Sequence, residues 1–447
     1  MAHKQRLSRY MIFIVTIACL GGLLFGYHTA IISGALIFLS PIFNLSIAEQ
    51  GVLVSSILLG ALVGAFMGGY LADRLGRKWT IMLTAVLFIL GSWITAESHS
   101  YFILLFGRVV SGIAVGVISV TAPLYLAEIA PPNHRGGIVS AYQLAITLGI
   151  LGAYFINYVY AKKADWQEMF IIGSLPAAIQ LLALFFIPES PGWLFKNGKS
   201  HLAIIVLERL RLDRDWKGHI DEMKHSASSR NKRGAWRLLF SSKLRTILFV
   251  GLFISAFQQI TGINTIIYYA PRIFQGAGYT SAISATFATL SIGIINVLAT
   301  LVSVWLLDRI GRRRLLLIGI AGMVMSLFSL VITSFLRSSL IDEMAVISLM
   351  CYVAFFAIGL GPITWVLLSE IYPLKVRGKA MALATFVNWF CNYFVSLTFP
   401  NLLISIGIGG AFLLYGLISV IAFWFVFRYV PETKGKSLEE IEQLLQK

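Results

Sequence analysis

The sequence predicts an all-α integral membrane protein: twelve transmembrane helices in two pseudo-symmetric six-helix bundles, plus short cytoplasmic helices. Three observations predict it. Of 447 residues, 58% are hydrophobic and 13% charged, against roughly 45–50% and 25% in soluble domains. The charges are segregated, leaving apolar runs of about the 17–25 residues needed to cross a bilayer. Finally, the charge motifs that follow the second and fourth runs return after the eighth and tenth.

The runs fall near 11–39, 50–72, 79–97, 101–126, 137–160 and 168–187, then near 245–270, 282–307, 314–336, 344–369, 379–403 and 407–430. The loops after even-numbered spans carry Arg74, Arg77, Lys78, Arg135, Arg309, Arg312, Arg313, Arg314, Lys375, Arg377 and Lys379, and the central linker adds more. The opposite loops offer Lys162, Lys163, Arg272 and Arg337. The positive-inside rule therefore puts both termini in the cytoplasm, in a multi-pass protein of the plasma membrane. The same asymmetry accounts for the net charge of +16, so the basic balance does not point to nucleic acid. The first run is too long for a signal-peptide core and lacks a small-residue cleavage site, which predicts that it is retained. Cys19, Cys351 and Cys391 all fall in spans, with spacing that suggests neither a disulfide framework nor a metal site.

Four regions follow: a six-helix bundle over 1–187, a cytoplasmic linker over 188–243, a second bundle over 244–430 and a tail over 431–447. In the linker, Leu202, Ile205, Val206 and Leu210 recur at helical spacing among charges, predicting a short amphipathic helix on the membrane surface. Ser226–Arg233 is polar and basic and reads as a connector. In the tail, Ser437 with Glu440 makes a capping box ahead of an apolar stripe of Leu438, Ile441, Leu444 and Leu445. The halves repeat each other closely. Asp73-Arg74-Leu75-Gly76-Arg77-Lys78 is matched by Asp308-Arg309-Ile310-Gly311-Arg312-Arg313; Glu128 with Arg135-Gly136 is matched by Glu370 with Arg377-Gly378. Matching charge devices in two six-helix halves are the mark of an internally duplicated transporter.

From about Gly21 to Leu438 the chain resembles the sugar porters of the major facilitator superfamily, whose members include bacterial xylose or glucose symporters and human glucose facilitators. The residues that carry the resemblance are GGYLADRLGRK at 68–78, GRVVSG at 107–112, PLYLAEIAPPNHRG at 123–136, PESPGWL at 188–194, QQITGIN at 258–264, LLDRIGRRR at 306–314, SEIYPLKVRG at 369–378 and PETKGKSLEE at 431–440. DRxGRR alone marks only the superfamily, drug exporters included; PESPxWL and PETKG with QQxxGIN point to the sugar branch. The resemblance implies two bundles rocking about a midplane site, probed from alternate sides, with short cytoplasmic helices latching the inward face. The candidate gate is Asp73, Arg77, Glu128 and Arg135 in the first half and Asp308, Arg312, Glu370 and Arg377 in the second. Pairs between bundles would hold the cytoplasmic side shut. By resemblance Glu189 and Glu432 join that latch. PESPGWL has Gly192 where the family usually has Arg, which implies one latch contact fewer.

A sugar needs neutral donors and acceptors plus an apolar surface for its ring face. Gln143, Gln258, Gln259, Asn264, Asn296 and Asn388 lie in spans, and each amide supplies both donor and acceptor. By resemblance these six and Trp365 match sugar contacts, and Trp389 matches a position near the site. Interhelical hydrogen bonding is the bland alternative for any one of them; Asn392 is assigned to it, as a partner of Asn388 one turn away. At 100° per residue a straight helix cannot aim Gln258, Gln259 and Asn264 at one ligand. Span seven should therefore break near Gly262, and Gly359, Gly361 and Pro362 predict the same for span ten. Arg108 lies well inside span four and heads an i, i+4, i+8 series with Gly112 and Gly116, a face that admits a close neighbour.

One position leaves the family pattern. Proton-coupled members carry Asp at the place of His28, paired with the span-four Arg, and facilitators carry Asn. A neutral imidazole is a hydrogen-bonding group nearer in kind to Asn; imidazole is also the side chain best placed to titrate near neutrality. Uniport and proton symport both stay open, so a co-transported proton is the one cofactor-like species in question, and no metal is expected. The expected partners are a small sugar and the lipid bilayer, with the monomer as working unit. Two other readings are an exporter of another small metabolite or drug, against which QQITGIN and PETKG argue, and a non-transporting sugar sensor, against which the short tail argues. An integral-membrane enzyme is not supported: there is no HExxH, GxSxG or Walker-type motif.

Overall fold

Polar caps open the spans. Ser8 accepts from the Met11 N–H, Ser46 and Glu49 form a reciprocal capping box, and Ser100 and Ser281 accept from Ile103 and Ser284. Each side chain satisfies a donor that the helix itself leaves unpaired. The computed structural model describes residues 8–131, 134–210, 238–276, 278–335, 341–373 and 376–434. The connector at 226–233 and the tail helix predicted after Ser437 lie outside the described residues.

Among the described residues, eleven helical stretches are long and apolar enough to cross a membrane. The last, Arg377–Tyr429, is two helices run together through Gly407, whose φ of 70° no ordinary helical residue adopts. The spans therefore number twelve. They run past the expected ends, as in Ile47–Leu75 for 50–72, because the flanking charged residues continue the helix. Large apolar side chains such as Phe66, Phe102 and Phe186 stand on the outside, as lipid-facing residues do.

Four spans are broken. Span one divides into Arg9–Ala30 and Ile32–Ile42, and span six into Trp166–Ile171 and Ser174–Leu184. Span seven divides into Ser242–Ile260 and Ile263–Gly276, and span ten into Ile341–Ile358 and Leu360–Ile371. The break in span seven falls at Gly262, with φ 94°, and that in span ten at Gly359, as their sequences predict. A Cβ on Gly262 would also lie 2.6 Å from the Tyr415 ring. The freed Thr261 carbonyl accepts from the Tyr352 hydroxyl at 2.9 Å, and the Thr265 hydroxyl donates to the Gly262 carbonyl at 2.6 Å. Irregular backbone at membrane depth is thus satisfied inside the protein.

The linker contributes two short helices. Pro191–Lys196 starts on a Ser190 cap, and Ser200–Leu210 is the expected amphipathic helix. Its buried face is Ala203, Val206, Leu207 and Leu210, however; Leu202, placed on the apolar stripe by spacing, is exposed. The Gly112 and Gly116 face of span four meets span two, against the Ile57 and Ala61 backbone, which is the close approach small residues allow.

The two bundles meet at the end of the molecule away from the linker. There Arg272 Nη2 donates to Ser40 Oγ at 2.7 Å, the Tyr154 hydroxyl donates to the Ile267 carbonyl at 2.9 Å, and Gly51 packs on the Leu397 carbonyl. Toward the linker end spans five and eight part around a cavity of about 340 Å³ lined by Gly137, Ser140, Ala141, Leu144, Leu301, Val304 and Trp305.

Candidate substrate site and charge clusters

The break in span seven brings its three amides together. Asn264 Nδ2 donates to Gln259 Oε1 at 2.5 Å, and Gln259 Nε2 donates to Asn388 Oδ1 at 3.1 Å. Asn388 Nδ2 donates to Gln258 Oε1 at 2.6 Å and to the Ser255 carbonyl at 3.0 Å. Gln258 Nε2 reaches the Leu360 and Gly361 carbonyls, both at 2.9 Å, just past the break in span ten. Four predicted residues from spans seven and eleven therefore form one network anchored on span ten, itself a broken helix. Gln258, Gln259 and Asn388 are buried, and Asn264 partly so.

Trp389, next to Asn388, sits 5.6 Å from the Phe25 ring of span one, tilted by 36°, so an aromatic pair joins the two halves beside the amides. Asn296 is buried, Gln143 and Trp365 are half-buried, and among the described residues no side-chain hydrogen bond ties these three to the network. Asn392 does not pair with Asn388. It bonds to the Tyr268 hydroxyl at 3.4 Å and accepts from Ser396 at 3.2 Å, because the neighbouring amide is already engaged by Gln258 and Gln259. Tyr268 is a residue the sequence reading missed; its signal was its position one turn beyond Asn264.

Arg108 is wholly buried, so it does not snorkel to the interface. Its Nη1 donates to the His28 backbone carbonyl at 2.8 Å. The His28 ring does something else: it stacks on Phe88 at 4.6 Å and 20°. The two residues are neighbours, but backbone rather than imidazole receives the bond.

The duplicated charges fold into duplicated clusters at the linker end. In the first half Arg77 pairs with Glu128 at 2.8 Å and Asp73 at 3.4 Å, and Glu189 accepts from the Arg77 and Lys78 N–H groups at 2.9 and 3.2 Å. The Ser190 hydroxyl donates to Glu128. In the second half Arg312 pairs with Glu370 at 3.0 Å, Glu432 accepts from the Arg312 and Arg313 N–H groups at 2.9 and 3.2 Å, and the Thr433 hydroxyl donates to Glu370 at 2.5 Å. Glu189 and Glu432 each cap the helix that follows a DRxGR turn, where an anion complements the helix dipole. Burial holds the Glu189 carboxyl above the usual range. Burial also raises that of Glu432, but four backbone N–H donors outweigh it and leave the carboxyl below that range.

These pairs lie within their own halves. Arg377 donates to the Tyr372 carbonyl at 3.0 Å, and the side chains of Arg135 and Asp308 lie outside the described set. Ser190 and Thr433 were also missed, although each directly follows the acid of its motif. At Gly192, where the family carries Arg, a neighbour compensates in part: Lys196 pairs with Asp73 at 2.8 Å and the Trp193 indole donates to the Asp73 carbonyl.

Twelve spans in two repeated halves, with an amide network at a broken helix, define a membrane transporter of the major facilitator superfamily rather than an enzyme. The family model described as "Sugar (and other) transporter" matches residues 14–445, and the chain belongs to that family. It is 41% identical to the putative metabolite transport protein YwtG of Bacillus subtilis, covering 97% of this chain and 94% of that one. It is 40% identical to the glucose transporter GlcP of Staphylococcus epidermidis, covering 98% and 97%. Among solved structures, the proton:xylose symporter XylE bound to 6-bromo-6-deoxy-D-glucose superposes with a TM-score of 0.85 at 36% identity, covering 98% of this chain and all of that one.

Proposed function

We propose that this protein carries a monosaccharide, a hexose or pentose, across the plasma membrane by alternating access, as a monomer with both termini cytoplasmic. The observation that carries the reading is the amide network. Gln258, Gln259, Asn264 and Asn388 satisfy one another across the break in span seven and onto span eleven, so adjacent sugar hydroxyls can take over bonds already pre-arranged in space. Names of relatives support it: one is a glucose transporter and another a xylose symporter. In this reading the linker end faces the cytoplasm and the conformation is inward-open. Gln259→Ala in proteoliposomes should lower sugar uptake at least tenfold; unchanged uptake would overturn the amide site.

A second reading concerns what drives the sugar. XylE is a proton symporter, but here the imidazole of His28 stacks on Phe88, and Arg108 bonds to backbone. That geometry favours facilitated uniport. Vesicles given a pH gradient and no sugar gradient decide it: downhill flux without accumulation supports uniport, and concentrative uptake rejects it. Running the assay with glucose, xylose, galactose and fructose identifies the sugar.

A further inference from the structure

Arg108 has an unusual deficit for a charge inside a membrane. Its side chain is wholly buried and one nitrogen, Nη1, is bonded. Nε and Nη2, which share the other edge of the guanidinium, have no partner, and neither does Nε2 of the buried, neighbouring His28. That edge presents two parallel N–H groups, the fork that holds anions in a bidentate way.

Among the described residues of the first half, no acid neutralises the charge. Its described acids lie at helix ends: Glu49, Glu97, Asp165 and Glu168 at one end, and Asp73, Glu128 and Glu189 at the other. The guanidinium carbon lies 5.8 Å from the Phe170 ring, and the hydroxyl of Tyr268 is its electrostatic neighbour from the second half. An aromatic face attracts a cation but leaves its net charge, and a guanidinium keeps that charge in proteins. A lone buried charge is strongly disfavoured, and an anion on the unbonded edge would offset that cost.

We propose that the Nε–Nη2 edge of Arg108 is a binding site for a small monovalent anion, with chloride as the physiological occupant. A halide suits the Arg108 edge because it makes no directional demand beyond the two N–H donors. The anion supplies the negative charge that no side chain here provides, and it exchanges where a carboxylate could not. The inference rests on Arg108 and His28 and is independent of the sugar reading.

The test reads melting of the purified full-length protein in detergent without sugar, with sodium chloride replaced by sodium isethionate at constant ionic strength. Binding to the folded state alone raises Tm with ligand concentration. The expected result is a saturable rise of several degrees in chloride. His28→Asp, which builds in the counter-charge, should melt as high in isethionate as in chloride, whereas neutral His28→Asn should keep the dependence. Equal Tm of the unaltered protein in the two salts overturns the proposal, as does a chloride dependence in His28→Asp as large as in the parent. A rise with sodium glucuronate but not chloride also overturns it, by assigning the Arg108 edge to a sugar carboxylate.

Discussion

Asn388 is the residue on which the amide network turns. Its two side-chain atoms serve Gln259, Gln258 and the Ser255 carbonyl at once, so it links the first piece of span seven to span eleven. Asn388→Ala leaves three polar groups short of a partner in a buried setting, each worth about 1–3 kcal/mol when unsatisfied. The expected outcome is a Tm lower by a few degrees and a sugar affinity weakened by about tenfold or more, the equivalent of roughly 1.4 kcal/mol. Melting and equilibrium sugar binding on the same preparation check both. Asn392→Ala is the contrast: its partners are Tyr268 and Ser396, outside the network. It should lower affinity less than Asn388→Ala, and equal losses would mean that the network boundary is drawn in the wrong place.

Broken helices carry the site at the next scale up. A continuous span seven would point Gln258, Gln259 and Asn264 to different sides; the turn at Gly262 brings them within hydrogen-bond reach of one another or of Asn388. Gly262→Ala should be costly on two counts. A Cβ at φ 94° is strained by roughly 1–2 kcal/mol, and it meets the Tyr415 ring at 2.6 Å. The variant should melt lower and transport poorly, whereas Gly152→Ala, in open space within a helix, should melt at or above the parent. Loss of sugar flux in Gly152→Ala equal to that in Gly262→Ala would remove the break from the mechanism. The breaks in spans seven and ten, though not those in spans one and six, were legible, because three amides cannot share a face of one straight helix and because glycine and proline cluster in span ten. The span count was legible for a cruder reason, since apolar length alone decides what crosses a bilayer. Pairing was less legible. Spacing put Asn392 next to Asn388 but could not reveal that Asn388 was already engaged, and it put Leu202 on an apolar stripe whose actual centre is one residue along. The duplicated charges were visible as motifs, but the capping of helix N-termini by Glu189 and Glu432 depends on chain segments more than a hundred residues apart.

At the scale of the molecule, the two halves meet at the end away from the linker. Gly51 on span two lies so near the Leu397 carbonyl of span eleven that any side chain there must push the spans apart. Gly51→Trp should therefore disfavour the conformation seen here and favour one open on the opposite side. A clash worth about 1.4 kcal/mol in one state alone shifts the population tenfold. Ser140, in the cavity between spans five and eight, reports that shift. With Cys19, Cys351 and Cys391 replaced by Ser, a single Ser140→Cys reacts with a membrane-impermeant thiol reagent only while the linker end is open. Labelling from that side should slow by about tenfold in Gly51→Trp, and net sugar flux should fall because the outer end can no longer close. Binding of sugar should persist, since the amide network is within the second half and Gly51 is in the first. An unchanged labelling rate with folding intact would show that contact at Gly51 does not govern closure. The hydrogen bonds of Arg272 to Ser40 and Tyr154 to Ile267 would then be the contacts that hold the far end shut.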